Sequence, residues 1–209
     1  MTASVMKTIA IAAQKGGAGK TTLTVHLAVE ANRRGEKAFI ADTDPQESAS
    51  AWARARSDGN PPVISVPFDR LEAAQRAGRE EAMTLCLIDT PPHAVASSAL
   101  VARASDLVVI PVRPSAFDLA AVEASIAISR QAKRTVLILS ACPPRAPEIL
   151  EAREVLQAYG IPVLNAEISE RRAYSRAVSS GRAVSEFEPY GKAAAEIAAI
   201  WSELRGFLE

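Results

Sequence analysis

The segment KTIAIAAQKGGAGKTTLTVHLAVEANRRG, residues 7–35, constrains the fold more than any other part of the chain. An apolar run enters a glycine-rich loop and a helical pattern leaves it, the context in which a glycine motif becomes informative. Glycines let successive backbone N–H groups turn inward, and the following helix N-terminus adds its partial positive charge, so this order builds a phosphate cradle. Gly16, Gly17, Ala18 and Gly19 form the expected loop, Lys20 is expected to reach the β- and γ-phosphates, and the Thr21 hydroxyl, followed by Thr22, to ligate Mg²⁺. Two features depart from the general G-x-x-x-x-G-K-[ST] pattern: Gln14 stands where its first glycine belongs, and a second lysine, Lys15, sits beside it.

Beyond the loop, short aliphatic runs alternate with helical patterns. KTIAIAA, KAFIAD, PVISVP, TLCLID, DLVVIPV, RTVLILSA and IPVLNAEI make seven candidate strands. Helices are expected from Thr21, from about Ser48, from Asp69, across LAAVEASIAISRQAK and across PEILEAREVLQAYG. Strands apolar on both faces and joined by helices require a parallel sheet covered on both sides, so the fold class is α/β, doubly wound and mainly parallel. Gly35 and Gly160 fall where left-handed helix caps are needed, and CPPRAP at 142–147 reads as a stiff strand-to-helix connection with Pro147 in the first turn of the next helix. No repeat or linker divides the 209 residues, so residues 1–209 are expected to form a single domain. An apolar content of 48% separates the chain from disordered sequences, and its 24 basic and 24 acidic residues cancel, so any attraction to nucleic acid or anionic lipid must be local. Cys86 and Cys142 lie in apolar runs and are expected to be buried free thiols. With no secretion signal and no run long enough to cross a bilayer, the expected compartment is the cytoplasm.

KGGAGKTT resembles the deviant Walker A motif of the ParA/MinD family of ATPases, and the resemblance extends in motif order over nearly the whole chain. It implies a P-loop NTPase fold that binds ATP with Mg²⁺ and hydrolyses it slowly, under stimulation by a partner. It also implies a role for the extra lysine, because in the family the residue matching Lys15 reaches across a nucleotide-sandwich homodimer to the phosphates of the other subunit. FIADTDPQ at 39–46 resembles the D-x-D-P-Q switch I motif, which implies that Asp44 orients or deprotonates the attacking water and Asp42 supports the magnesium shell. TLCLIDTPP at 84–92 ends an apolar strand in Asp89, the pattern of a Walker B carboxylate. The following Thr90-Pro91-Pro92 resembles a switch II turn, and DLVVIPVRPSAFDL at 106–119 is similar to the family's loop near the nucleotide and the dimer face.

A phosphate site does not say what hydrolysis is used for. RRAYSRAVSSGR at 171–182 carries four arginines and no acid, and as a helix it would set Arg172 and Arg176 on one face. Arg171, Arg172, Arg176 and Arg182, extended by Lys192, form the candidate surface for DNA contacts without sequence preference, and the segment is similar in position to the DNA-contacting region of ParA proteins. The reading is a ParA-type ATPase, similar to the small plasmid-type members, that associates with the nucleoid and positions or segregates a DNA or protein cargo with an adaptor or centromere-binding protein. Two alternatives stand beside it: a MinD-like membrane-positioning ATPase, opposed by the acid-rich tail AAAEIAAIWSELRGFLE, and a metabolic P-loop enzyme of amidoligase or kinase type. In that tail Trp201, Leu204 and Leu208 are expected to face the core. An iron–sulfur role is not supported by two isolated cysteines. Ala141 and Cys142 stand where many relatives have a polar residue near the adenine, which leaves base selectivity open.

Overall fold

In a computed structural model, residues 5–92 and 100–209 are described. Six parallel strands form one sheet: β1 (Lys7–Ile11), β2 (Ala38–Asp42), β3 (Val63–Ser65), β4 (Leu85–Asp89), β5 (Leu107–Val112) and β6 (Thr135–Leu139), in the order β3-β2-β4-β1-β5-β6. The central strands β2, β4 and β5 are buried at every position. That is why they read as continuous aliphatic runs and not as alternating ones. Successive residues nonetheless serve different layers: Ile9 and Ile11 belong to one apolar core and Ala10 to the other.

The first core is closed by α1 (Lys20–Arg33), α2 (Ser48–Arg54), α7 (Arg172–Ser179), α8 (Val184–Phe187) and α9 (Lys192–Leu208). The second lies under α3 (Leu71–Glu80), α5 (Val122–Ser129) and α6 (Glu148–Gln157). Trp201 and Leu204 are buried and Leu208 packs against the first core, as expected from their spacing. Both cysteines are buried free thiols. Gly35 (φ 95°) and Gly160 (φ 69°) adopt the left-handed conformation at the ends of α1 and α6. Among the described residues, no helix is long and apolar enough to cross a membrane.

Two expectations need correction. The seventh candidate strand does not form: residues 161–168 make one isolated bridge to β6, at Val163, and a second bridge follows between Ser169 and Cys142 beyond that strand. Leu164 and Ile168 still donate to Leu137 O and Leu139 O, but between them Asn165 N and Ala166 N donate to the Glu203 carboxylate, each at 2.8 Å. Arg153 takes the carbonyls of Leu164 and Asn165 from the other side. Charged side chains thus capture the backbone groups that a ladder would need. The helical pattern at 119–133 is also interrupted: α4 (Ala116–Ala120) starts earlier, capped by Ser115 Oγ accepting from Asp118 N, and Ala121 separates it from α5.

Sheet topology places the site. The chain builds β2 and β4 on one side of β1, then crosses to the other side for β5 and β6, so the order reverses at β1. Ligands of such sheets bind beyond the carboxyl ends of the strands at that reversal, where the glycine loop emerges.

Candidate nucleotide site

The loop between β1 and α1 turns at Gly17 (φ 77°) and Gly19 (φ 87°), and Gln14 is not among the left-handed residues. Glycine is therefore not required at position 14, whose N–H donates to Ser125 Oγ at 3.1 Å. Ser140, at the end of β6, ties the loop down from above by donating to Ala18 O at 2.9 Å. Lys20 is buried, and its ammonium donates to Lys15 O at 3.1 Å. Burial lowers its pKa, against the pull of Asp89 and Asp44. A desolvated ammonium at the start of a helix, beside a left-handed glycine turn, suits an anion.

Asp89 closes the floor. It is fully buried, Oδ1 receives a long 3.4 Å contact from Thr24 Oγ1, and Oδ2 has no hydrogen-bond partner. Burial pushes its carboxyl up to about 7, with Asp42 and Asp44 adding to the rise and the Thr21 hydroxyl and Lys20 opposing it. A buried carboxylate near two others and short of donors suits a hard divalent cation, and Mg²⁺ fits this oxygen set. Among the described residues no three His, Cys, Asp or Glu side chains converge on a metal position.

The other two carboxylates are engaged. Asp42 pairs in register with Asp89 across β2 and β4. Its Oδ2 accepts from Ser50 N (2.9 Å) and Ser50 Oγ (2.8 Å), and Oδ1 accepts from Asp44 N at 3.3 Å. Asp42 therefore holds the start of α2, and any part in the magnesium shell is confined to Oδ1. Asp44 is half-buried and accepts from Gln46 N at 2.9 Å, which fixes the turn that leaves β2.

The two lysines lead opposite lives. Lys15 points out of the cradle: its ammonium lies 3.9 Å from Asp118 and 5.7 Å from the centre of the Phe117 ring, and that ring is 81% exposed. Both partners come from α4, in the loop after β5.

Beside the glycine loop opens a cavity of about 370 Å³. Gly19 and Thr22 form one side, Ser140 and Ala141 the top of β6, and Ser169, Arg171 and Tyr174 the far wall. Ala141 takes a left-handed φ of 51° there. Helix α7 divides its surface between this cavity and solvent. Tyr174 and Val178 line the cavity, Arg172 and Arg176 are exposed on an adjoining stripe, and Arg176 lies over the Phe187 ring. Arg182 and Lys192 are exposed as well. Arg171 departs from the expected basic surface, because its guanidinium is held by Glu196 at 2.7 Å and it lines the cavity.

Ser140 and Glu196 were not singled out from the sequence, and Asp118 and Tyr174 only as members of the segments 106–119 and 171–182. Ser140 had a signal, since it follows a parallel strand on the ligand-binding edge. Glu196 reaches the cavity wall from a segment far along the chain, and nothing local marks it.

Residues 9–184 match the CobQ/CobB/MinD/ParA nucleotide binding domain. The chain is 32% identical over 203 residues to Maintenance of carboxysome distribution protein A of Gloeobacter kilaueensis, covering 91% of this chain and 88% of that protein. It is 30% identical over 183 residues to Protein ParA of Rhizobium radiobacter, covering 81% of each. The solved structure of apo McdA from Cyanothece shares the fold, with a TM-score of 0.75 at 19% identity over 95% of this chain and 99% of that one.

Proposed function

The chain belongs to the CobQ/CobB/MinD/ParA family of nucleotide-binding proteins, and from that premise we propose that it is an ATP-driven positioning ATPase whose dimer assembles around bound nucleotide. ATP with Mg²⁺ is its cofactor pair. The inward N–H groups of Gly16, Gly17, Ala18 and Gly19 cradle the phosphates with Lys20, and the base occupies the cavity beside Gly19 and Thr22. Thr21 and Asp89 hold Mg²⁺, with Asp42 behind them, and the ion offsets charge on the phosphate oxygens when bound. Asp44, fixed by its turn at the mouth of the site, orients the water that attacks the terminal phosphate.

One observation carries the dimer reading: Lys15 projects away from its own cradle beside an exposed aromatic ring. A lysine that its own loop does not use is available to a second copy, and a cation donated in trans ties assembly to occupancy of the nucleotide site. The exposed Arg172, Arg176, Arg182 and Lys192 support attachment to DNA without sequence preference. An adaptor protein then stimulates hydrolysis and releases the dimer. The named relatives divide between a carboxysome distribution protein and ParA, so the cargo is a protein assembly or a DNA molecule. Lys15→Gln tests the reading by sedimentation with Mg²⁺ and a slowly hydrolysed ATP analogue. The variant is expected to bind nucleotide like the parent and to remain monomeric; dimers at parental affinity would overturn the role in trans.

A further inference from the structure

The far wall of the cavity beside the glycine loop is packed through Tyr174 against the first core and is also tied together from behind. Four hydrogen-bond donors from three of its residues converge on one carboxylate behind it, that of Glu196 on α9. Oε1 accepts from Ser169 Oγ (2.8 Å) and Arg171 Nε (2.8 Å), while Oε2 accepts from Ser169 N (3.2 Å) and the Tyr174 hydroxyl (2.8 Å). Each oxygen is thus filled twice. Burial would raise this carboxyl, but the bonds from Arg171, Ser169 and Tyr174 outweigh it and hold the group below the usual carboxylate range. Glu196 is ionised whenever the protein is folded near neutrality, as a four-donor acceptor requires.

We propose that Glu196 is the positioning residue of the base cavity: it touches no ligand itself, but sets Ser169, Arg171 and Tyr174 into the single arrangement that leaves room for a flat heterocycle. This rests on the reading that the nucleotide's base lies in that cavity. The alternatives open to these residues show what the carboxylate prevents. Without it the Arg171 guanidinium keeps only a 3.2 Å contact with Ser169 Oγ, on the cavity's own edge, and a long unpaired cation collapses readily into a neighbouring space. Tyr174 keeps only a 3.3 Å contact with Ala193 O, so the ring that backs the cavity loses its stronger anchor. Preorganised walls hold affinity because the ligand does not have to order them on binding.

The experiment compares Mg·ATP with Mg·tripolyphosphate, which carries the same phosphates and no base, on the full chain by calorimetry. Glu196→Ala is expected to lose tenfold or more in affinity for ATP while tripolyphosphate changes by less than about twofold. Glu196→Gln, which keeps an acceptor for one donor pair and faces the other with an amide N–H₂, is expected to fall between. A merely structural role predicts a different pattern, with both ligands weakened together; that result, or parental discrimination in both variants, overturns the proposal. Val178→Trp fills the cavity directly and separates the place of the base from the role of Glu196. If it leaves ATP affinity at the parental level, the base lies elsewhere and the underlying reading fails; if it weakens ATP while Glu196→Ala does not, only the role of Glu196 falls.

Discussion

His26, in the middle of α1, packs its ring against Tyr174 with centroids 5.3 Å apart. Its Nδ1 accepts from Val184 N at 3.2 Å, so the proton is on Nε2, which is buried without a partner. Burial lowers its pKa from 6.5 to about 3. The folded-state value lies below the unfolded one, so the unfolded chain takes up a proton that the folded chain refuses. Stability from this residue is complete above pH 6.5 and is lost as pH falls from 6.5 toward 3, at about 1.4 kcal/mol per unit. Between pH 7.5 and pH 5 that amounts to about 2 kcal/mol. His26→Asn keeps an acceptor for Val184 N and does not titrate, so in urea melts the parent is expected to lose about 2 kcal/mol more than the variant over that interval. Equal losses would mean that His26 is not held neutral. Nothing in LTVHLAV marks this residue, since helical periodicity cannot tell a histidine wedged against a distant tyrosine from one on a solvated edge. The placement of Lys15 and Lys20 beside the glycine loop could be read for the opposite reason: a strand, a turn and a helix start fix their geometry locally, and Asp89 stands out because it ends a continuous aliphatic strand.

At the scale of elements, the strands were legible where burial on both faces leaves a continuous aliphatic run, and misleading at 161–168. There the composition suits a strand, but Glu203 and Arg153 remove the backbone partners from a distance. The join between α2 and the α7–α8 turn is a second long-range device of this kind. Arg56, just past α2, has a side chain only 3% exposed. It donates to both oxygens of Glu186 (3.0 and 2.8 Å) and to Gly181 O (2.9 Å), and its guanidinium lies over the Trp52 ring. Gly181 lets the two segments meet: a Cβ there would stand 2.4 Å from Ala55 O, and its φ is 68°. Since α2 begins at the carboxylate of Asp42 and α7 lines the cavity, this clamp joins two elements that both touch the nucleotide site. Arg56→Lys retains the charge but not the fork, and Arg56→Ala leaves Glu186 without its main partner. Urea midpoints are expected to fall in that order, with a loss of about 2–3 kcal/mol for the alanine variant and an unchanged m-value. An alanine variant as stable as the parent would show that Gly181 packing alone holds the join.

For the whole molecule, electrical neutrality limits how the proposed attachment to DNA could work. With 24 basic and 24 acidic residues there is no long-range attraction to a polyanion, so attachment depends on a local surface and on how many copies present it together. Arg172, Arg176, Arg182 and Lys192 are the exposed cations of the proposed surface in each protomer, Arg171 being withdrawn by Glu196. Neutralising a few phosphates makes only weak binding at physiological salt, whereas the proposed dimer would present twice as many cations, and the second set would bind at the effective concentration set by the first. On the proposed reading, attachment should follow the nucleotide state without any change in the basic surface itself, because bound nucleotide would decide whether one or two such surfaces act together. Replacing both Arg172 and Arg176 by alanine is expected to weaken ATP-dependent binding to unrelated duplexes alike, by tenfold or more. The slope of log affinity against log salt should shrink by about 0.9 for each phosphate that is no longer neutralised, while ATP-dependent dimerisation stays intact. Unchanged binding would move the DNA surface to another face, and a defect confined to one duplex sequence would contradict a grip on the phosphate backbone, since the backbone carries no sequence information.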